Sequence, residues 1–313
     1  MRLKILISYH YHKKAVLAEM LKKHFTEPYP EIFVDSGAFS AVTQGVKINI
    51  QEYARWLKSN MAHITTYANL DVIGNAEETW ANQKTLEGEG LSPLPTFHTN
   101  EDWSYLERYI AEYPYVALGG LVPFARGRDP IYMAWVLKCF KMAKDKTVYH
   151  GFGVTNWEAL KSFPWYSVDS TSWGAGFRFG TVPMWDEQAK KFTKYRLGSR
   201  DWYKCSDTLR AWGFEPDDFA VRSRYKRENA CAIAALSYQM AEQYLQTRHG
   251  KITMSGNTTR DSGLLLHLAD GSVQNLSDGD RGIKLYLAEP NKDMIDVGRA
   301  HKTLTIKQSE VAA

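Results

Sequence analysis

Residues 31–40 read Glu-Ile-Phe-Val-Asp-Ser-Gly-Ala-Phe-Ser, an apolar run broken by an acid, a hydroxyl and a glycine. Ile-Phe-Val suits a buried strand, Ser-Gly ends it, and Asp35 is left where the chain turns. The same punctuation recurs along the first half of the chain. Extended stretches are predicted over 3–8, 31–35, 63–71, 94–98, 115–121, 148–154 and 166–170. Helical segments are predicted between them over 15–25, 50–59, 77–86, 103–113, 131–143 and 157–162. Such alternation favours parallel βαβ units over a meander.

Two parallel architectures fit, the doubly wound open sheet and the closed barrel, and the strand ends choose between them. Polar or glycine-bearing turns follow nearly every strand: Asp35-Ser36-Gly37, Asp71, His98-Thr99, Gly119-Gly120, His150-Gly151-Phe152-Gly153 and Asp169-Ser170. Candidate chemistry therefore rings one face, as βα loops do in a barrel. No GxGxxG follows the first strand, which weakens the dinucleotide-binding alternative. The expected fold is α/β, a (β/α)8 TIM-like barrel whose eighth strand and helix come from beyond Gly174. A helix over 228–246 closes it. From Gly250 onward the apolar content thins, with short strand-like pieces at 264–267 and 283–287. The expected division is thus a barrel over 1–249, including a basic and aromatic segment over 174–249, and a small β or partly ordered appendage over 250–313.

The composition agrees with a folded protein. Of 313 residues, 44% are hydrophobic and 24% charged, close to globular averages, so wholesale disorder is excluded. The net charge of +4 is too small to imply a nucleic-acid partner by itself, so any basic site has to be local. Cys139, Cys205 and Cys231 lie far apart and form no short ligand pair, which signals neither a disulfide framework nor a cysteine zinc site. No cofactor or metal is expected. The opening MRLKILISYHYHKK has too short an apolar run for an export signal, and no stretch approaches the roughly 20 apolar residues of a membrane span. A cytoplasmic protein with no membrane partner is expected.

Asp35 and Asp169 stand out because each ends an apolar strand and precedes small hydroxyl or glycine residues. Paired carboxylates suit glycosidic chemistry: one attacks or stabilises the oxocarbenium-like sugar while the other handles the leaving group's proton. Each taken alone is equally an Asx turn or helix cap. The ordered set FVDSGAF, NLD, LGGL, HGFGVT and VDSTSW, over Phe33 to Trp173, resembles the guanine transglycosylases, which exchange a nucleic-acid guanine for a 7-deazaguanine on a (β/α)8 barrel.

That resemblance implies Asp169 as nucleophile and Asp35 as general acid/base. It implies that Phe39 and Phe152 sandwich the purine, that Asp71 binds its Watson-Crick edge, and that Gly119, Gly120 and Leu121 bring backbone groups to the base. His98 falls where the family usually has a glutamine. His150 reads as a satisfied histidine beside its loop. The tRNA members carry a CxCxxC-plus-histidine zinc site that these cysteines do not build, and a Pro-Thr-Arg type segment where this chain has Ser170-Thr171-Ser172. The zinc-free set is most similar to the phage-type enzymes that act on DNA, which implies DNA and a 7-deazaguanine base as partners and, for a phage protein, the host cytoplasm. Arg126 and Arg128 near the mouth, and Arg222, Arg224, Lys226 and Arg227 among aromatic residues, are the candidate phosphate contacts. The alternatives are a zinc-free tRNA-guanine transglycosylase, a barrel glycosidase or nucleosidase for small substrates, and a non-catalytic nucleic-acid binder.

Overall fold

The computed structural model describes residues 2–121, 129–154, 156–250, 252, 265–267, 273–275, 284–288 and 294–312. Seven short strands occupy the first half: β1 (Lys4–Ser8), β2 (Glu31–Asp35), β3 (Thr66–Tyr67), β4 (Thr96–His98), β5 (Tyr115–Gly119), β6 (Val148–Gly151) and β7 (Ser167–Ser170). A hairpin of β8 (Thr181–Asp186) and β9 (Lys191–Arg196) follows, then the antiparallel pair β10 (Leu265–His267) and β11 (Val273–Asn275), then β12 (Lys284–Ala288). One curled parallel sheet runs in the order β3-β2-β1-β12-β7-β6-β5-β4. Its two edges meet: Ala68 and Leu94 form a parallel bridge, Leu94 N donates to Tyr67 O at 2.8 Å, and Asn69 N donates to Leu94 O at 2.9 Å. The fold is a TIM-like (β/α)8 barrel.

The helices in chain order are α1 (Tyr9–His12), α2 (Leu17–His24), α3 (Ala38–Thr43), α4 (Ile50–Asn60), α5 (Ala76–Gly88), α6 (Trp103–Glu112) and α7 (Pro130–Ala143). They continue with α8 (Trp157–Ser162), α9 (Ser172–Phe179), α10 (Ser206–Ala211), α11 (Asp217–Ala220), α12 (Arg227–His249) and α13 (Ile295–Ala312). Local chemistry sets their starts. Asn49, Asn75, Asp102, Asp129 and Asn156 each accept backbone N–H bonds from the first turn of α4, α5, α6, α7 and α8, satisfying donors that a helix N-terminus leaves unpaired. Pro130 at the first position of α7 costs nothing there.

Side-chain alternation divides each strand between two cores. Ile5, Ile7, Ile32 and Val34 face the helices with Leu17, Leu21, Tyr53 and Leu57, while Leu6, Phe33, Tyr115, Ala117, Tyr166 and Tyr286 fill the interior. The barrel is packed, so anything it binds is held at a rim.

The division at residue 249 does not describe the sheet. The eighth strand, expected from beyond Gly174, is β12, and it pairs with β1 on one side and β7 on the other. Residues 284–288 therefore complete the sheet, and residues 294–312 pack on it, instead of forming an appendage. Trp173, fully buried, donates its indole N–H to Ala288 O at 2.9 Å. Glu242 of α12, also buried, pairs with Lys4 at 2.8 Å and accepts the Leu285 N–H at 2.8 Å. Burial raises the Glu242 pKa and the Lys4 charge opposes that rise. One carboxylate thus ties α12 to β1 and β12 at the end of the barrel opposite the polar turns. Helix α13 covers the outside with Val297, Ala300 and Leu304, and its Asp296 holds Arg227 at the start of α12 through bonds of 2.8 and 2.6 Å.

In the segment over 174–249, expected to be basic with aromatics for stacking, the aromatic residues divide: Tyr203 is exposed, and two tryptophans are not. Trp185 and Trp202 are fully buried, Trp185 against Trp157 and Phe192 and Trp202 stacked on Phe219 at 4.5 Å. Charged neighbours obscured a β-hairpin whose apolar side chains pack inward. Six consecutive buried residues, Ala230 to Ala235, let α12 lie close against its neighbours.

Candidate active site

Six of the eight barrel strands bring a candidate residue to the same rim. Asp35 ends β2, Asp71 follows β3, His98 ends β4, Gly119 ends β5, Phe152 follows β6 and Asp169 lies in β7. Parallel pairing makes this a ring, because every strand points its C-terminal end the same way.

Three carboxylates converge, and their surroundings differ. Asp169, buried, accepts the Gly153 N–H at 2.9 Å and lies 3.4 Å from His150 Nε2. Asp71 accepts the Ser36 hydroxyl at 3.0 Å and His98 Nε2 at 2.9 Å. Asp35 accepts the Gly37 N–H at 3.1 Å and has no cation beside it among the described residues. Its pKa is pushed up to about 8, first by burial and then by the charges of Asp71 and Asp169. Like charges confined together leave one group protonated, and here that group is Asp35.

His98 is the counterweight. Burial opposes its charge, but hydrogen bonds and charges from Asp71 and Glu101 outweigh burial and raise its pKa to about 10. Its Nδ1 lies 3.0 Å from Glu101 Oε1, and its backbone N–H donates to Glu101 Oε2 at 2.9 Å. Gly119 and Gly120 make room for this arrangement. A Cβ on Gly119 would stand 2.7 Å from His98 Cδ2, and Gly120, at φ +73°, faces Thr99 in the same way.

His150 is fully buried, with Nδ1 2.6 Å from Ser167 Oγ, which in turn lies 2.5 Å from the Tyr115 hydroxyl. Burial lowers its pKa and contact with Asp169 opposes the drop. Of the histidine expected to be satisfied beside its loop, Nδ1 is hydrogen-bonded, while the buried Nε2 has no hydrogen-bond partner and faces Asp169 at 3.4 Å. Phe152 packs on His150 at 4.6 Å and on Phe33 at 5.9 Å. Phe39 is 64% exposed on α3, a large apolar ring with nothing to bury it. Leu121 has its side chain in the outer core, which leaves only its backbone for a ligand.

The remaining expected residues lie elsewhere. Arg126 and Arg128 are outside the described residues. Arg224 pairs with Asp217 at 2.7 Å and Arg227 with Asp296, while Arg222 and Lys226 are exposed. Glu101 and Ser36 joined no expectation from sequence. Their one signal is position, each within three residues of a strand-end polar group. A cavity of about 30 Å³ beside β7 is lined by Val168, Asp169, Leu160, Phe192 and Tyr238 and has room for about one water. Among the described residues, no three His, Cys, Asp or Glu side chains converge as a metal site, and no helix is long and apolar enough to cross a membrane. Comparison of the chain with protein-family models, curated proteins and solved structures returned no match.

Proposed function

We propose that the protein is a DNA-guanine transglycosylase, exchanging guanine in DNA for a 7-deazaguanine such as 7-cyano-7-deazaguanine. The observation that carries this reading is the convergence of Asp35, Asp71 and Asp169 on one barrel rim, with Asp35 holding a proton near neutrality. In the reaction Asp169 attacks C1′ of a flipped-out nucleotide, the C1′–N9 bond breaks, and the Asp35 proton passes to the departing guanine. The sugar is then held as an ester of Asp169. Asp35, now a carboxylate, takes the proton of the incoming base, whose nitrogen displaces Asp169 from C1′. Two displacements at one carbon retain configuration. His150 supports Asp169 from behind, Asp71 meets the base edge, and the exposed ring of Phe39 is free to stack on a purine opposite Phe152.

One observation favours a second reading, a nucleosidase or glycosidase for small substrates: Arg224 and Arg227 are already paired within the chain, and Trp185 and Trp202 are buried. The test is to incubate the protein with labelled 7-cyano-7-deazaguanine and, separately, duplex DNA, single-stranded DNA, guanine-containing tRNA and free nucleosides at one salt concentration. Label is expected in DNA, with none when Asp169→Asn is used, and a covalent protein–DNA adduct is expected with the wild type alone. Label only in tRNA would replace the substrate, turnover only of nucleosides would favour the second reading, and DNA binding without any exchange would leave a non-catalytic binder.

A further inference from the structure

Behind Asp71 stands a chain of polar contacts that ends in a buried acid. Ser36 Oγ donates to Asp71 Oδ1 at 3.0 Å, His98 Nε2 meets Asp71 Oδ2 at 2.9 Å, and His98 Nδ1 meets Glu101 Oε1 at 3.0 Å. Side-chain exposure falls along it, from 14% at Asp71 to 6% at His98 and 4% at Glu101. Asp71 is therefore the end that reaches a ligand, and Glu101 is the end that never does. An ionised carboxylate oxygen has two acceptor sites. Each Asp71 oxygen spends one on Ser36 or His98 and keeps one.

We infer that Glu101 is a positioning residue for base recognition: through His98 it fixes Asp71 so that its two remaining acceptor sites meet two N–H groups on the edge of a 2-amino-6-oxopurine or its 7-deaza analogue. This rests on the transglycosylase reading. The purely structural role for Glu101 is to hold the turn from His98 to Glu101, where its other oxygen accepts the His98 backbone N–H. That role does not explain why the same carboxylate also takes the ring nitrogen. With a carboxylate on both sides, the imidazole carries two N–H groups, so the group facing Asp71 is always a donor, and a charged one, which makes a bond about twice as strong as a neutral pair. Among the described residues, Asp35, Tyr53 and Tyr109 are the other titratable groups that feel Asp71 or Glu101.

The test measures binding of guanine and of 7-cyano-7-deazaguanine to the full-length protein by calorimetry, without relying on turnover. Wild type and Glu101→Gln are compared at pH 6.0 and 7.5, alongside nitrogen-15 spectra of the His98 ring. In the wild type the ring is expected to stay doubly protonated at both pH values. In Glu101→Gln the ring keeps Asp71 and loses one of the two carboxylates that raise its titration, so it titrates below the wild-type ring. The variant should then bind about tenfold more weakly at pH 7.5 and recover toward wild-type affinity at pH 6.0, where the imidazolium re-forms. Asp35 is present in both proteins, so its own titration cancels in the ratio. A purely structural Glu101 gives a loss equal at both pH values, and that result, or a variant matching wild type throughout, overturns the relay. A wild type that binds no purine although His98 stays doubly protonated removes the functional reading and the recognition role with it. A circular-dichroism melt of the variant within a few degrees of wild type certifies the fold.

Discussion

The proton on Asp35 has consequences for both rate and stability. In the unfolded chain this carboxyl titrates near 4, whereas in the fold it titrates at about 8. Between those values the folded state holds a proton that the unfolded state has lost, so stability falls as pH rises across that window. Asparagine has no such dependence. Asp35→Asn is expected to abolish exchange and yet to melt higher than wild type at pH 8, by roughly 2–4 °C for about 1 kcal/mol, with no gain at pH 4. Equal melting temperatures at pH 8 would mean that the carboxyl is not held protonated. Exchange by the wild type should fall above about pH 8, as the acid form of Asp35 is lost. Asp35 and Asp169 were recognisable in the sequence because each interrupts an apolar strand. Glu101 was not, since its partner is a ring nitrogen placed by a turn, and neither composition nor periodicity records that a turn will fold back.

At the scale of elements, the strand-end glycines act through their neighbours. Gly119→Ala puts a methyl group where His98 now lies, and overpacking of this kind costs about 1–3 kcal/mol. The expected outcome is a lower melting temperature together with weaker base binding; unchanged binding would show that His98 can move without disturbing Asp71. The candidate phosphate residues also separate at this scale. Arg222→Ala and Lys226→Ala should each reduce the log-log salt slope of DNA binding by roughly 0.7 to 0.9. Arg224→Ala and Arg227→Ala should instead lower stability and leave that slope nearly unchanged, because Asp217 and Asp296 already hold those charges. Binding titrations across salt concentrations check all four. The strands and the longer helices through Ser170 were readable because apolar periodicity and capping residues agree there, whereas the short α1 and α3 were not expected. The hairpin of β8 and β9 was not, since lysines and arginines at its exposed positions disguise a β8 buried on both faces, with Val182 and Met184 in one core and Trp185, packed by Phe192, in the other.

For the whole molecule, the decisive element is one that composition hides. β12 opens with Lys284, whose buried amine lies 3.5 Å from Glu31, and it follows a long polar stretch, so it reads as a short strand-like piece of an appendage and not as a central strand. Its burial is complete over all five residues. Removing the chain from Gly250 onward would leave β1 and β7 without their shared neighbour and Glu242 without the Leu285 N–H. The truncated protein is therefore expected to lose cooperative unfolding and purine binding together. A truncated chain with a single sharp melt and wild-type affinity would show that the barrel closes some other way.

The register that pairs Ile5 with Leu287 also constrains how the protein is made. Ribosomes add about 5–20 residues per second, so roughly 6–24 s separate the synthesis of Ser170 from that of Ala288. Throughout that interval the nascent chain carries two unpaired strand edges, β1 and β7, of the kind that recruit other chains. Barrel closure is consequently a late event with very high contact order. Ile5 leaves the ribosome 282 residues ahead of Leu287, the neighbour it meets across the sheet.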